Sequence, residues 1–339
     1  MSTLQVIWYM LIGVLLTGYA VLDGFDLGVG FWTLFTKKGR DRRILLNAIG
    51  PVWDGNEVWL ITGAGALFAA FPPVYAAVFS GLYIPLMLVL LGLIFRAVSI
   101  EFRGKTPSSL WQKTWDTAFG AGSVLAALLF GVAIGNILRG LSLDAAGNYA
   151  GTLTGLLHPY ALLIGLVGLA MTATHGALYL VLKTEGDLGL RARRWARKAW
   201  VVYLALFVLA GIATFAYQRQ LLTNYRAQPV LWILPLFALA AIACIGLFNR
   251  SGRPLHAFVC SALSIAGLMS MVGASIFPAL VPARNDPSLS LTLANASSSE
   301  LTLRAMLVIA IIGMPLILGY TLWIYRTFAG KVKLEEESY

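Results

Sequence analysis

Apolar runs of the length a helix needs to cross a bilayer, about twenty residues, recur along the whole chain. Nine are legible, at roughly 6–34, 51–71, 74–98, 116–138, 155–182, 199–217, 229–248, 255–280 and 303–327. Pro72 and Pro73 separate the second from the third and leave almost no loop. The pattern predicts an all-α integral membrane protein with nine transmembrane helices.

Composition agrees. Of 339 residues, 59% are hydrophobic and only 12% charged, with a mean hydropathy of +0.79, whereas a soluble domain carries about a quarter charged residues. The net charge of +10 does not mark a nucleic-acid binder, because the basic residues fall in short loops between apolar runs. The loops after spans one, three, five and seven, with the C-terminal tail, hold twenty Lys and Arg, counting Arg96 and Arg326 at span ends. The opposite side holds only Arg139, Arg219, Arg226, Arg284 and Arg304. The positive-inside rule then puts the N-terminus outside and the C-terminus in the cytoplasm.

"MSTLQ" has no positive n-region and the run after it is too long for a cleavable signal. Cys244 and Cys260 both lie in apolar runs and read as buried small hydrophobes. One outer loop is long, "VPARNDPSLSLTLANASSSE" at 281–300, and reads as a cap on the outer face. "GRDRRILLNAIG" at 39–50 reads as an interfacial helical turn whose basic residues suit anionic headgroups.

The chemistry begins with acids in the wrong solvent. Carboxylates inside a span are costly and face a protein interior or a water-filled cavity. Asp23 and Asp26 of "VLDGFDLGVG" are three apart, hence on one helix face, and Asp54 and Glu57 of "WDGNEVW" repeat the spacing. With span one running inward to Phe35, Asp26 lies ~13 Å from its cytoplasmic end; Asp54 and Glu57 lie ~5 and ~9 Å into span two. All four therefore share the cytoplasmic half of two antiparallel spans. Gly24, Gly28, Gly30 and Gly55 permit close helix approach around them.

Crowded carboxylates in a low dielectric can hold and pass a proton, which points to uptake from the cytoplasm. A bound monovalent cation is a second reading. A third is that Asp54 and Glu57 stabilise the start of their helix, where the dipole favours anions, or pair with loop arginines.

His158 and His175 share span five, but ~25 Å apart, so they cannot ligate one haem or metal together. His256 lies at the cytoplasmic start of span eight, and the set lacks the pair that bis-His haem binding needs. His175 in "MTATHGALYL" reads as a hydrogen-bonding core residue. Arg96 and Glu101 are expected to pair with each other or to reach the interface. Trp195 and Trp200 of "RARRWARKAW" fit an interfacial belt, as do Trp111 and Trp115.

"GYAVLDGFDLGVG", "RRILLNAIGPVWDGNEVWLITGAGALFAAFPPVYA", "IEFRGK", "THGALYL" and "SLTLANASSSELTL" together resemble subunit II of cytochrome bd-type quinol oxidases, over essentially the whole chain. The resemblance implies a heterodimer with a haem-bearing subunit I, often with a small single-span subunit added. It implies nine spans in two four-helix bundles (6–138 and 155–280), an outer loop at 281–300 and a peripheral ninth helix at 303–327. The complex would oxidise quinol, reduce oxygen to water and draw its protons from the cytoplasm. All three haems and the quinol-oxidising loop would belong to subunit I, leaving this chain without haem or metal.

Asp54 matches the acid of the family's WDGN-type motif, which lines a proton channel at the subunit interface, and Asp23 and Asp26 match its DGFD pair. Glu57 falls where relatives also have Gln or His, and Asn295 where some have Asp. Some relatives carry a structural quinone or lipid in this subunit. A stand-alone proton- or sodium-coupled transporter would use the same acids but break helices near the midplane around a substrate. Here the acids sit toward one face, which suits delivery into a partner. A purely structural subunit is the remaining alternative.

Overall fold

In a computed structural model of the chain, residues 1–36 and 39–334 are described. Most of them lie in twelve α-helices: α1 (Thr3–Thr33), α2 (Arg40–Ile49), α3 (Trp53–Ala70), α4 (Pro72–Gly81), α5 (Tyr83–Phe102), α6 (Ser109–Arg139), α7 (Pro159–Lys183), α8 (Gly186–Tyr217), α9 (Thr223–Ala227), α10 (Ile233–Arg250), α11 (Pro254–Ile276) and α12 (Glu300–Thr327). Two short antiparallel strands, β1 (Ala279–Val281) and β2 (Leu291–Thr292), sit in the 281–300 region.

Among the described residues eight helices are long and apolar enough to cross a membrane: α1, α5, α6, α7, α8, α10, α11 and α12. The chain is an all-α, multi-pass membrane protein. The second predicted span corresponds to α3, eighteen residues long, whose first two turns carry Asp54, Asn56 and Glu57, which lower its hydropathy. The third, read as one run at 74–98, is two helices, because α4 ends at Gly81 and α5 starts at Tyr83. Pro85 explains the break: it has no N–H, and its ring would collide with the carbonyl four residues back. Pro72 and Pro73 open α4, where a missing N–H costs nothing.

α1 is the hub and packs on α3, α6, α7 and α11. Its contact with α7 is backbone to backbone. A Cβ on Gly28 would lie 2.8 Å from the Gly176 Cα and collide with the Thr172 carbonyl, so only glycine permits this approach. α5 and α6 meet in the same way at Gly92 and Gly122. Of the other glycines noted in the sequence, Gly30 lies against Ser123, Gly24 about 4 Å from His175, and Gly55 faces open space.

The predicted interfacial turn is α2, with Leu45, Leu46, Ala48 and Ile49 buried and its arginines outward or paired. It is pinned at Asp116 of α6, which accepts from Arg42 at 2.6 Å and from Arg103 at 2.6 Å. Asp41 pairs with Arg191 at the start of α8. Trp195 stacks on Trp32 with centroids 4.9 Å apart, and Trp200 donates to the Ile242 carbonyl at 2.7 Å. Both tryptophans therefore pack between helices. On the opposite face the 281–300 segment is ordered: Ser298 donates to the Ala69 and Ala70 carbonyls, and Gln5 to Ser297. Asn295 bonds the Thr292 N–H at 2.7 Å, a turn-stabilising role.

Candidate functional site

The i, i+3 spacing in "DGFD" turns both acids of α1 toward α3, α5 and α12. Asp23 and Asp26 are fully buried. Asp23 receives a two-pronged contact from Arg96 of α5, one arm at 2.8 Å through Nη1 and a second, very short one through Nη2. The same Nη2 reaches Glu57 Oε1 of α3 at 2.7 Å. Arg96 is itself fully buried, so one guanidinium clamps carboxylates from two other helices. This corrects the expectation that Arg96 pairs with Glu101 or reaches the interface. Arg96 lies on the inward face of α5, and the two acids it meets are distant in sequence.

Asp26 belongs to a second strand of the network. Its Oδ2 accepts from Asn56 Nδ2 at 2.7 Å, and its Oδ1 is buried without a hydrogen-bond partner. Asn56 Nδ2 also donates to the Leu22 carbonyl at 3.1 Å. Asn56 Oδ1 accepts from the Tyr325 hydroxyl of α12 at 2.9 Å. The Tyr19 hydroxyl, Trp59 Nε1 and Arg96 Nε are likewise buried and unpartnered. Native interiors leave few such atoms without a protein or water partner.

Asp54 is different. It is exposed in the first turn of α3, where Val52 supplies no side-chain cap, and it points away from the bundle. The fold therefore gathers Asp23, Asp26 and Glu57 around Arg96 and Asn56, and places Asp54 one turn nearer the helix start on the open face. Sequence reading missed Arg96, Asn56 and Tyr325 as members. The lone arginine of "LGLIFRAVSI" was the available signal, since a charge inside an apolar run needs an acid to meet it.

The three histidines each make a contact within the fold. His175 bridges helices: Nδ1 meets Ser261 Oγ of α11 at 3.0 Å and Nε2 meets the Val21 carbonyl of α1 at 3.0 Å, with the ring stacked on Phe258. Both nitrogens are committed. His158 caps α7 by accepting the Tyr160 N–H at 3.2 Å. His256 packs on Phe248 at the start of α11. Among the described residues no three His, Cys, Asp or Glu side chains converge on a metal position.

The family model described as cytochrome bd terminal oxidase subunit II matches residues 4–328. The chain belongs to that family. It is 38% identical to cytochrome bd-I ubiquinol oxidase subunit 2 of Escherichia coli strain K12, covering 99% of this chain and 97% of that one. It is 37% identical to cytochrome bd ubiquinol oxidase subunit 2 of Bacillus subtilis strain 168, covering 99% of each. A probable cytochrome oxidase subunit 2 of Haemophilus influenzae is 38% identical over 97% of this chain and 95% of its own. Among solved structures, the bd oxidase of Geobacillus thermodenitrificans contains a chain that superposes with a TM-score of 0.79 at 19% identity, covering 96% of this chain and 99% of its own. That likeness shows the fold alone. Membership in the bd subunit II family and eight apolar helices make this a multi-pass protein of the bacterial cytoplasmic membrane.

Proposed function

We propose that this chain scaffolds a haem-bearing partner and carries cytoplasmic protons to the partner's oxygen-reducing centre. As a cytochrome bd subunit II it is part of a respiratory quinol oxidase rather than a stand-alone transporter. Within that role, the proton path is the reading the geometry supports best. One observation carries it: two buried acids, Asp23 and Asp26, and the partly buried Glu57 are held together around Arg96 and Asn56, and a fourth acid, Asp54, stands exposed at the start of α3.

In this reading Asp54 collects the proton on a face that the partner subunit I covers. Glu57, on the next turn, shares Arg96 with Asp23, and Asp26 lies beyond. Reduction of oxygen to water consumes protons, so a route supplied from the cytoplasm charges the membrane as the chemistry proceeds. The N-terminus lies outside and the C-terminus inside, α3 crosses the membrane as the second of nine spans, and α12 is the peripheral ninth beside two four-helix bundles (6–138 and 155–280). The 281–300 loop covers the outer face. The haems and the quinol site lie in the partner, with quinol and oxygen as substrates of the complex. A small single-span subunit and a structural quinone or lipid are further expected components.

The test is quinol-driven oxygen consumption by the purified Asp54→Asn complex, with haem content measured on the same sample. Full haem with a collapsed rate is the expected result. Full haem with an unchanged rate would make Asp54 only an anion at a helix start.

A further inference from the structure

Three carboxyls, those of Asp23, Asp26 and Glu57, face a single guanidinium. Arg96 bonds Asp23 and Glu57 and leaves Asp26 to Asn56. Ionised, Asp26 would expose a charged Oδ1 to the interior with no donor, which costs more than leaving a neutral hydroxyl unpaired.

The groups that face Asp26 are Asp23 of its own helix, Glu57 of α3, Arg96 of α5, Tyr179 of α7 and Tyr325 of α12. His175 of α7 lies one turn away. Most of these are engaged elsewhere: Tyr179 donates to the Ala48 carbonyl at 2.9 Å, and both His175 nitrogens are taken. The hydrogen-bonded route to Asp26 from another helix is Tyr325–Asn56–Asp26. The Leu22 carbonyl can only accept, so it fixes Nδ2 on the α1 side of Asn56; the Tyr325 hydroxyl satisfies Oδ1 on the other.

We propose that Tyr325 is a positioning residue: by holding the Asn56 amide, it confines the proton of Asp26 to Oδ1, the oxygen that Asn56 leaves free. The proposal rests on the proton-path reading above and adds which oxygen carries the proton and which helix controls it. α12 is otherwise loosely attached, with Leu303 its fully buried residue and the Tyr325 ring edge-on to Phe25 at 6.4 Å. A shift of α12 against α1 and α3 would therefore be felt at Asp26 through this one hydroxyl.

The experiment is infrared difference spectroscopy of the intact purified complex in the region of protonated carboxyl C=O stretching, in H2O and D2O. Asp26→Asn should remove one band; where that variant does not assemble, Asp26→Glu should displace it. Tyr325→Phe should move the same band and lower oxygen consumption about fivefold at full haem content, the change expected for one lost neutral hydrogen bond. If Tyr325→Phe does not assemble, Asn56→Ala read in the same way decides. A band unmoved in the Tyr325 or Asn56 variant, or no carboxyl band that responds at Asp26, overturns the proposal. An unchanged rate in Asp54→Asn would sink the entry route alone and leave this result to stand or fall separately.

Discussion

Replacing Arg96 by Met removes the guanidinium and keeps much of the aliphatic bulk. Two carboxylates lose their counter-charge. Asp23 has no exposed side-chain surface, while Glu57 keeps 22%. Removing one partner of a buried pair costs about 3–5 kcal/mol because the remaining charge is stranded. The more accessible Glu57 adds only about 0–1 kcal/mol. Against a typical folding stability of roughly 5–15 kcal/mol, that is a large share. At roughly 2 °C per kcal/mol for a large chain, the combined loss of about 3–6 kcal/mol should lower the melting temperature by about 6–12 °C. The assay is stepwise heating of the complex in mild detergent, with intact haem-bearing species followed by size exclusion. The double variant Asp23→Leu with Arg96→Met removes charge with charge and should recover at least about 2 kcal/mol of the loss. An Arg96→Met complex that melts within about 1 °C of the unsubstituted one would refute the clamp as a stabilising element.

Asp23→Asn should cost less than Arg96→Met, since Arg96 still pairs with Glu57; the ratio of assembled complex to free haem-free chain measures it. Gly176→Leu should abolish assembly, because its side chain would enter the backbone at Gly28 and Val29, and haem content of membranes reports it. Asp116→Ala strands Arg42 and Arg103 at about 3–5 kcal/mol and frees α2, so trypsin should cut the 36–50 segment much faster. Asp144, in the exposed loop after α6, accepts the backbone N–H groups of Asn148 and Ala146, and these bonds hold its carboxyl below the usual carboxylate range. Its contribution to loop order is therefore present above the ordinary carboxylate value and lost as pH falls through the lowered one. Pepsin cleavage of the loop should accelerate only at the acid end, and Asp144→Ala should be cut readily throughout.

The membrane class and most helix positions were legible because hydropathy is a local property of twenty-residue windows. The i, i+3 acids were legible for the same reason, since spacing along one helix fixes which face they share. What the sequence could not supply was who meets whom across helices. Arg96 was read with Glu101, its neighbour on α5, yet the fold turns it inward to Asp23, 73 positions away. Tyr325 carried no signal at all, because a tyrosine near a membrane helix end is equally at home in an interfacial belt. The break between α4 and α5 was in principle readable at Pro85, but an unbroken apolar run concealed it.

An arginine buried among acids proposed to carry protons works against that role, because a fixed positive charge repels protons. The proposed path accommodates this by dividing the acids. Asp23, gripped by both arms of Arg96, ties α1 to α5 and in the proposed path serves as a strut. Glu57 shares that guanidinium through one contact only and keeps some exposure, so it can exchange a proton with the Asp54 side while remaining near the cluster. Asp26 touches no cation directly and has one oxygen free. On this reading the positive charge sets a threshold: it keeps Asp23 from trapping the proton and leaves Asp26 as the inner site that holds it. Asp23→Asn then tests the division from the other side. A strut lost without a carrier lost should lower the yield of assembled complex while the turnover per haem of what assembles stays within about twofold, whereas a carrier would lose most of its rate, as removal of a positioned proton-transfer group does.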